Sequence, residues 1–232
     1  MKTISILDLL WMMLPIAVVI YLYTKWTSDK NTLFIALFRM IVQLLLIGYV
    51  LIYIFDSNSS LLVVLILSVM LIASSVISLR PVIKREKKLY IYAFLSILGG
   101  GLVTLLVVLF GVVGLDPWYE ARFVIPISGM IFANAMNGVS IAAERFESEI
   151  EQKKSYIEAR SLAYKAALIP IINSLFAVGL VSLPGMMTGQ ILSGIDPLIA
   201  VRYQMMVMLM VLSSSGLSVG IYLILMQKNR VQ

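Results

Sequence analysis

Long uncharged apolar stretches alternate along this chain with short clusters of charge, and the spacing of the charges is the most direct guide to its fold. Between consecutive charges lie uncharged stretches at 9–24, 40–55, 57–79, 89–115, 123–143, 166–195 and 203–227. A helix rising about 1.5 Å per residue needs roughly 20 mostly apolar residues to cross a hydrocarbon core about 30 Å thick. The pattern predicts an all-α integral membrane protein with about seven transmembrane helices. The first two stretches are short and borrow flanking residues, with Asp8, Lys25 and Arg39 near interfaces where long side chains reach water. The sixth exceeds one span and contains Pro184, Gly185, Gly189 and Gly194. It reads as a helix ending near Leu183, followed by a broken, partly re-entrant segment.

Charge asymmetry sets the expected orientation. With the N-terminus outside and the C-terminus cytoplasmic, 15 Lys and Arg residues fall on the cytoplasmic side and only Lys2, Arg122 and Arg202 outside. Tyr21, Tyr23 and Trp26 then mark the inner end of the first span, and Trp118 and Tyr119 an outer boundary. Lys2 is a weak basic start, Asp8 interrupts the beginning of the apolar stretch, and no small-x-small site comes after Tyr23, so this segment is expected to be a mature helix rather than a signal peptide.

Composition agrees with the pattern and narrows the chemistry. The chain is 61% hydrophobic and 13% charged, an excess of apolar surface that a water-soluble fold cannot cover. The formal charge of +6 follows from cytoplasmic loops and points to no nucleic-acid partner. Cysteine and histidine are both absent, which removes disulfides, Cys/His zinc sites, thiol nucleophiles and imidazole bases. No phosphate-binding G-x-x-x-x-G-K-[ST] loop occurs, so any ATP dependence requires a partner. No internal repeat is visible. The chain reads as one transmembrane domain over 1–232, with a charged cytoplasmic segment at 144–165.

Several polar residues stand out against this apolar background. Arg39 lies one helical turn before Gln43; it either snorkels to the interface or faces protein and water. Asn134 and Asn137 share a helix face and serve either as interhelical glue or as the lining of a substrate path. Gly129, Ala133 and Asn137, at i, i+4 and i+8, form a small-residue stripe expected to permit close helix approach. Met186 and Met187, with Met205, Met206, Met208 and Met210, offer thioethers that either ligate a soft metal or fill irregular gaps. Asp56, Asp116, Glu120 and Asp196 have no spacing that defines a hard-ion site. In the segment 144–165 five acidic and five basic residues interleave with Phe146, Ile150 and Ile157; Glu149 with Lys153, and Lys154 with Glu158, have i, i+4 spacing. The fifth helix is expected to continue into the cytoplasm there, as part of a solvated helical hairpin.

Three segments resemble the FetB-like permeases, the membrane subunits of ABC transporters linked to iron export. They are RMIVQLLLIGYVLIYIF at 39–55, VIPISGMIFANAMNGVS at 124–140, and ALIPIINSLFAVGLVSLPGMMTGQILSGIDPLIAVRYQMMV at 167–207, the last carrying the specific SLPGMMTG and SGIDP elements. The resemblance implies a seven-span permease in the bacterial cytoplasmic membrane, surrounded by lipid and paired as a homodimer with two copies of a FetA-like ATP-binding subunit. ATP and magnesium would bind to that partner, and this chain would carry no cofactor and no catalytic residue. The implied activity is export of iron or a related metal, although plant relatives connected with aluminium tolerance and UDP-glucose transport leave a nucleotide sugar open. Arg39, Gln43, Asn134, Asn137, Met186, Met187 and Gln190 are the candidate translocation path. Glu147, Glu151, Lys154, Glu158 and Arg160 are the candidate ATPase-coupling residues. Such permeases are expected to carry a Gly-containing amphipathic stretch after the charged helix; here YIEARSLAYK at 156–165 runs directly into AALIP, through a shortened coupling loop or an omission of residues. A secondary transporter or channel is the competing reading. It conflicts with the lack of Asp or Glu near the middle of spans two to seven, and a receptor or scaffold without transport remains a third.

Overall fold

The computed structural model describes residues 5, 7–27, 31–56, 59–83 and 86–228. These residues are helical almost throughout, and among them no strand occurs beyond an isolated bridge between Val178 and Ser182. A 3₁₀ turn, Asp8–Met12, leads into α1 (Met13–Trp26), followed by α2 (Thr32–Asp56), α3 (Ser60–Ser78) and α4 (Lys87–Leu106). The last continues as a π-helical segment, Val107–Val113, before α5 (Ala121–Glu151), α6 (Tyr156–Ala177), α7 (Gly185–Leu192) and α8 (Pro197–Lys228). Among the described residues six helical segments are long and apolar enough to cross a membrane, the exception among the long helices being α6. The protein is an all-α, multi-pass membrane protein.

Contacts divide the chain into two compact units, 1–57 and 58–232. The first contains α1 and α2, a pair of helices with broadly exposed apolar side chains, as lipid-facing helices require. At the end of α1 the Lys25 ammonium lies 5.5 Å from the Tyr21 ring centroid, and Thr27 Oγ1 donates to the Tyr23 carbonyl at 2.7 Å.

In the second unit α8 is the central helix, packed against α4, α5, α6 and α7, while α3 packs on α4 and α5. Two glycines permit this closeness. A Cβ on Gly100 would lie 2.3 Å from Ser218 Oγ and 2.5 Å from the Ser218 backbone nitrogen, and one on Gly138 would lie 2.2 Å from Ser215 Oγ. Lipid tails are as apolar as leucine, so helices associate by shape, and small residues let backbones approach. Buried hydroxyls elsewhere in the unit donate to carbonyls of their own helix: Ser75 to Leu71 at 2.7 Å, Ser78 to Ser75 at 2.8 Å and Thr104 to Gly100 at 2.8 Å. That local bonding removes the penalty of a dry hydroxyl.

The small-residue stripe of α5 differs from the sequence expectation. Ser128, Ile131, Ala135, Gly138 and Ala142 are its buried face, whereas Ala133 and Asn137 are exposed and Gly129 approaches only the flexible Met70 side chain. Neighbouring stripes of small residues run along this helix, and only the α8 partner selects one of them.

The sixth stretch is also corrected. Its helix ends at Ala177, not near Leu183, because Val178 turns extended and Gly179 adopts a left-handed φ of 84°. The Ala177 carbonyl accepts from the backbone nitrogens of Leu180, Val181 and Ser182, closing a tight turn. The short α7 then ends in a Schellman motif: Gly194 is left-handed, Gly194 N donates to Ile191 O, and Ile195 N to Gln190 O. Asp196 begins α8, its carboxylate accepting from Leu198 N at 2.8 Å, with Pro197 in the first turn. Charges at Glu158, Arg160 and Lys165 make the first half of α6 too polar to count as a span by composition. It nevertheless runs antiparallel along α8: Tyr156 bonds to Leu223, Tyr164 lies beside Gly216, and Leu175 shares a recess with Met205.

One end of this unit gathers the connection after α3, the α5–α6 turn and the C-terminal end of α8 around a shared recess. The segments after the π-helix and between α6 and α8 lie at the other end.

Candidate functional site

The charged hairpin is closed by a cap at each of the two helix ends that meet in its turn, and an Arg145–Glu149 ion pair runs along α5 beside them. Helix α5 closes in a second Schellman motif, with Lys153 N donating to Ile150 O and Lys154 N to Glu149 O, and with Lys153 itself left-handed at φ 63°. Two residues later Ser155 starts α6 in a capping box: its Oγ accepts from Glu158 N, while the Glu158 carboxylate accepts from Ser155 N at 3.2 Å and Oγ at 2.9 Å. The Ser155 hydroxyl, then its backbone N–H, then nearby Lys154 hold the Glu158 carboxyl below its ordinary pKa. Both helix ends are closed, so the turn joins α5 to α6 with the residues present, and YIEARSLAYK is the opening of α6 itself.

Glu149 was legible only as one more hairpin charge, and the structure buries it completely. Arg145 reaches one carboxylate oxygen at 2.5 Å and Lys154 reaches the other. These contacts are ionic, without hydrogen-bond alignment at either oxygen. The expected Glu149–Lys153 pair is replaced because the left-handed turn at Lys153 hands its place to Lys154. Lys154 thus lies outside the helix in which the Lys154–Glu158 spacing was read. Behind Glu149, Phe146 meets the Tyr156 ring edge-on with centroids 5.9 Å apart, and the Tyr156 hydroxyl donates to Leu223 O at 2.7 Å. The Arg160 guanidinium lies 5.5 Å from the Tyr156 ring centroid. Among the five candidate coupling residues, then, Lys154 and Glu158 fasten the hairpin, while Arg160 lies over the Tyr156 ring within α6. Glu147 and Glu151 line the recess at this end, about 300 Å³, beside Glu86, Phe146 and Tyr222.

The candidate path residues do not gather into one cavity. Arg39 and Gln43 lie one turn apart on α2, exposed, in the first unit. Asn134 and Asn137 line a recess of about 300 Å³ between α5, α6 and α8, together with Ser140, Pro170 and Ser215. Asn134 Nδ2 donates at 2.8 Å to the Met130 carbonyl on its own helix, so this donor is not interhelical glue. Ser215 is fully buried and its Oγ has no hydrogen-bond partner. Proline at position 170 supplies no N–H to the turn of α6 beside it. Neutral oxygens and amides therefore cluster at this recess, with Ser215 buried, Asn134 half-buried and Asn137 exposed, a polar feature that apolar packing alone does not require.

Met187 lines a different recess, of about 410 Å³ at the other end, between α6, α7 and α8. Met205, Met208 and Gln204 share it, whereas Met206 and Met210 turn toward α4 and the π-helical segment. Met186 and Gln190 are half-buried on α7, and Gln190 Oε1 is buried without a partner. Gln204, which is not among the sequence candidates, is 5% exposed with its Oε1 also unpartnered. Its signal was a glutamine within an otherwise apolar span, of the kind that drew attention to Gln43. Among the described residues, no group of three or more Asp and Glu side chains is placed to hold a metal ion.

Residues 6–230 match the family described as Uncharacterised protein family (UPF0014). The chain is 35% identical over 229 residues to the probable iron export permease protein FetB of Escherichia coli, covering 91% of this chain and 86% of the relative. It is 36% identical to the membrane protein slr1647 of Synechocystis, covering 78% and 75% of the two chains, and 31% identical to Protein ALUMINUM SENSITIVE 3 of Arabidopsis thaliana, covering 86% and 77%. No solved structure matches. A match over nearly the whole chain, on an all-helical membrane fold, makes this protein a member of the UPF0014 family of membrane proteins.

Proposed function

We propose that the chain is the membrane-spanning permease subunit of an ABC exporter that moves iron or a related metal out of the cell. A homodimer of this chain would work with two copies of a FetA-like subunit that binds and hydrolyses ATP. The observation that carries the reading is the 35% identity, over 91% of the chain, to a protein named as a probable iron export permease. The capped α5–α6 hairpin supports it. Helix α5 has 31 residues, about 46 Å at 1.5 Å per residue, well beyond a roughly 30 Å hydrocarbon core. The excess forms a stiff, charged projection at the end where the basic connections collect. The positive-inside rule assigns that end to the cytoplasm, where an ATPase would dock. Glu147 and Glu151 would face the partner, while the buried Glu149 clamp keeps the hairpin rigid enough to transmit its movement. The neutral recess at Asn134 and Asn137 would be part of the path, with Arg39, Gln43, Met186, Met187 and Gln190 contributing elsewhere along it.

Reconstitution in vesicles tests this. Metal flux should require the ATP-binding partner and ATP, and should fall when Gln43, Asn134 and Asn137 are replaced by leucine in a variant that still folds. Equal flux without the ATPase would overturn the exporter assignment in favour of a channel or secondary transporter. Unchanged flux in the leucine variant would remove those three residues from the path.

A further inference from the structure

The recess at the end of the unit opposite the charged hairpin brings three thioethers and an amide to one place. Gln204 and Met208 on α8 are four residues apart and Met205 is three before Met208, so the three share a helix face. Helix α7, pinned by its Schellman motif, brings Met187 to the same recess. The remaining walls, including Leu175 and Leu209, are apolar. Gln204 is 95% buried by its 5% exposure, and its Oε1 accepts no hydrogen bond. A buried amide oxygen is ordinarily bonded, and an unbonded one on a residue that lines a recess can turn to a ligand that accepts lone pairs.

We propose that this recess binds a soft monovalent metal cation, copper(I) or silver(I) in class, through the thioethers of Met187, Met205 and Met208 and the amide oxygen of Gln204. Thioether sulfur is a soft, neutral donor that selects such ions, whereas hard divalent ions require six or more oxygens, usually with carboxylates among them. Methionine side chains have three flexible torsions and can close around an ion from two helices without backbone rearrangement. Every donor is neutral, so binding releases no proton and leaves a cation only moderately held, as a site of passage needs. The proposal deepens the permease reading by naming a substrate class, but the binding itself is independent of that reading.

The test uses the full chain in nanodiscs, titrated with silver nitrate in chloride-free buffer, with iron(II) titrated in parallel. Wild type should bind silver tightly enough to measure, show sulfur neighbours by X-ray absorption, and keep its affinity from about pH 5.5 to 8, unlike a site of titrating ligands. The triple variant Met187→Leu, Met205→Leu, Met208→Leu keeps core volume and should weaken silver binding by at least about tenfold. A control with Met70→Leu and Met136→Leu should bind as wild type. Equal binding by the triple variant, or iron(II) bound more tightly than silver, would overturn the site. Silver binding without ATP-driven silver export, where iron flux still requires ATP and the partner, would overturn the soft cation as cargo and leave the permease reading standing.

Discussion

Placing one methyl group between α4 and α8 tests whether their close approach organises the bundle. In Gly100→Ala the new Cβ would sit 2.3 Å from Ser218 Oγ, 2.5 Å from Ser218 N and 2.9 Å from Ser218 Cα. Carbon atoms in contact settle near roughly 3.5–4 Å. Rotating the serine side chain relieves only the first clash, since the other two are with backbone, so the helices must part by about 1 Å. Overpacking of this kind costs about 1–3 kcal/mol. Alanine's better helix propensity returns about 1 kcal/mol, and because two of the three clashes are with backbone the cost falls in the upper part of that range, leaving a net loss of about 1–2 kcal/mol. Gly129→Ala is the matched control, because its Cβ would meet only the mobile Met70 Cε, at 3.3 Å. That variant should be neutral or more stable by up to about 1 kcal/mol. Unfolding both purified variants by SDS titration, followed by circular dichroism, gives the comparison. Gly100→Ala as stable as wild type, or Gly129→Ala as damaging as Gly100→Ala, would refute the packing argument.

The hairpin yields three more expectations, the first two measurable by the same titration. Glu149→Ala should lose about 1–3 kcal/mol, below the full penalty for breaking a buried pair because Arg145 and Lys154 are 46% and 38% exposed and can rehydrate; Glu149→Leu, which refills the space, should lose clearly less. Lys153→Gly should stabilise the protein by up to about 1 kcal/mol, because a side chain at φ 63° is strained and glycine is not. The capping box should make α6 sensitive to acid. Glu158 has a depressed folded pKa, so its contribution is complete above the ordinary value of 4.5 and disappears as pH falls through the lower folded value, and Ser155→Ala should flatten that pH dependence in hydrogen exchange at the start of α6.

The amino-acid sequence by itself determined that this is a helical membrane protein, because apolar length and charge spacing are local quantities that a bilayer reads directly. It also held the signals for two of the helix junctions: Ser155 stands three residues before Glu158 at the start of α6, and Gly194 and Asp196 precede Pro197 between α7 and α8. Those motifs need only neighbouring residues, so their structural meaning is recoverable without the fold. The tertiary structure alone decided which face of each helix is buried. In α5 the stripe through Gly129, Ala133 and Asn137 and the stripe through Ser128, Ala135 and Gly138 have similar composition, and only the second is buried, with Gly138 in close approach to Ser215 of α8. Hydropathy cannot separate them, because lipid and a neighbouring helix are equally apolar surroundings. For the same reason a charged α6 could lie alongside α8 while failing a composition test. Burial of Glu149 depended on a left-handed turn that moves Lys154 into the place its spacing assigned to Lys153. Likewise Gln204 and three methionines meet only because α7 folds back onto α8, a contact between two helices that no periodicity within either one encodes.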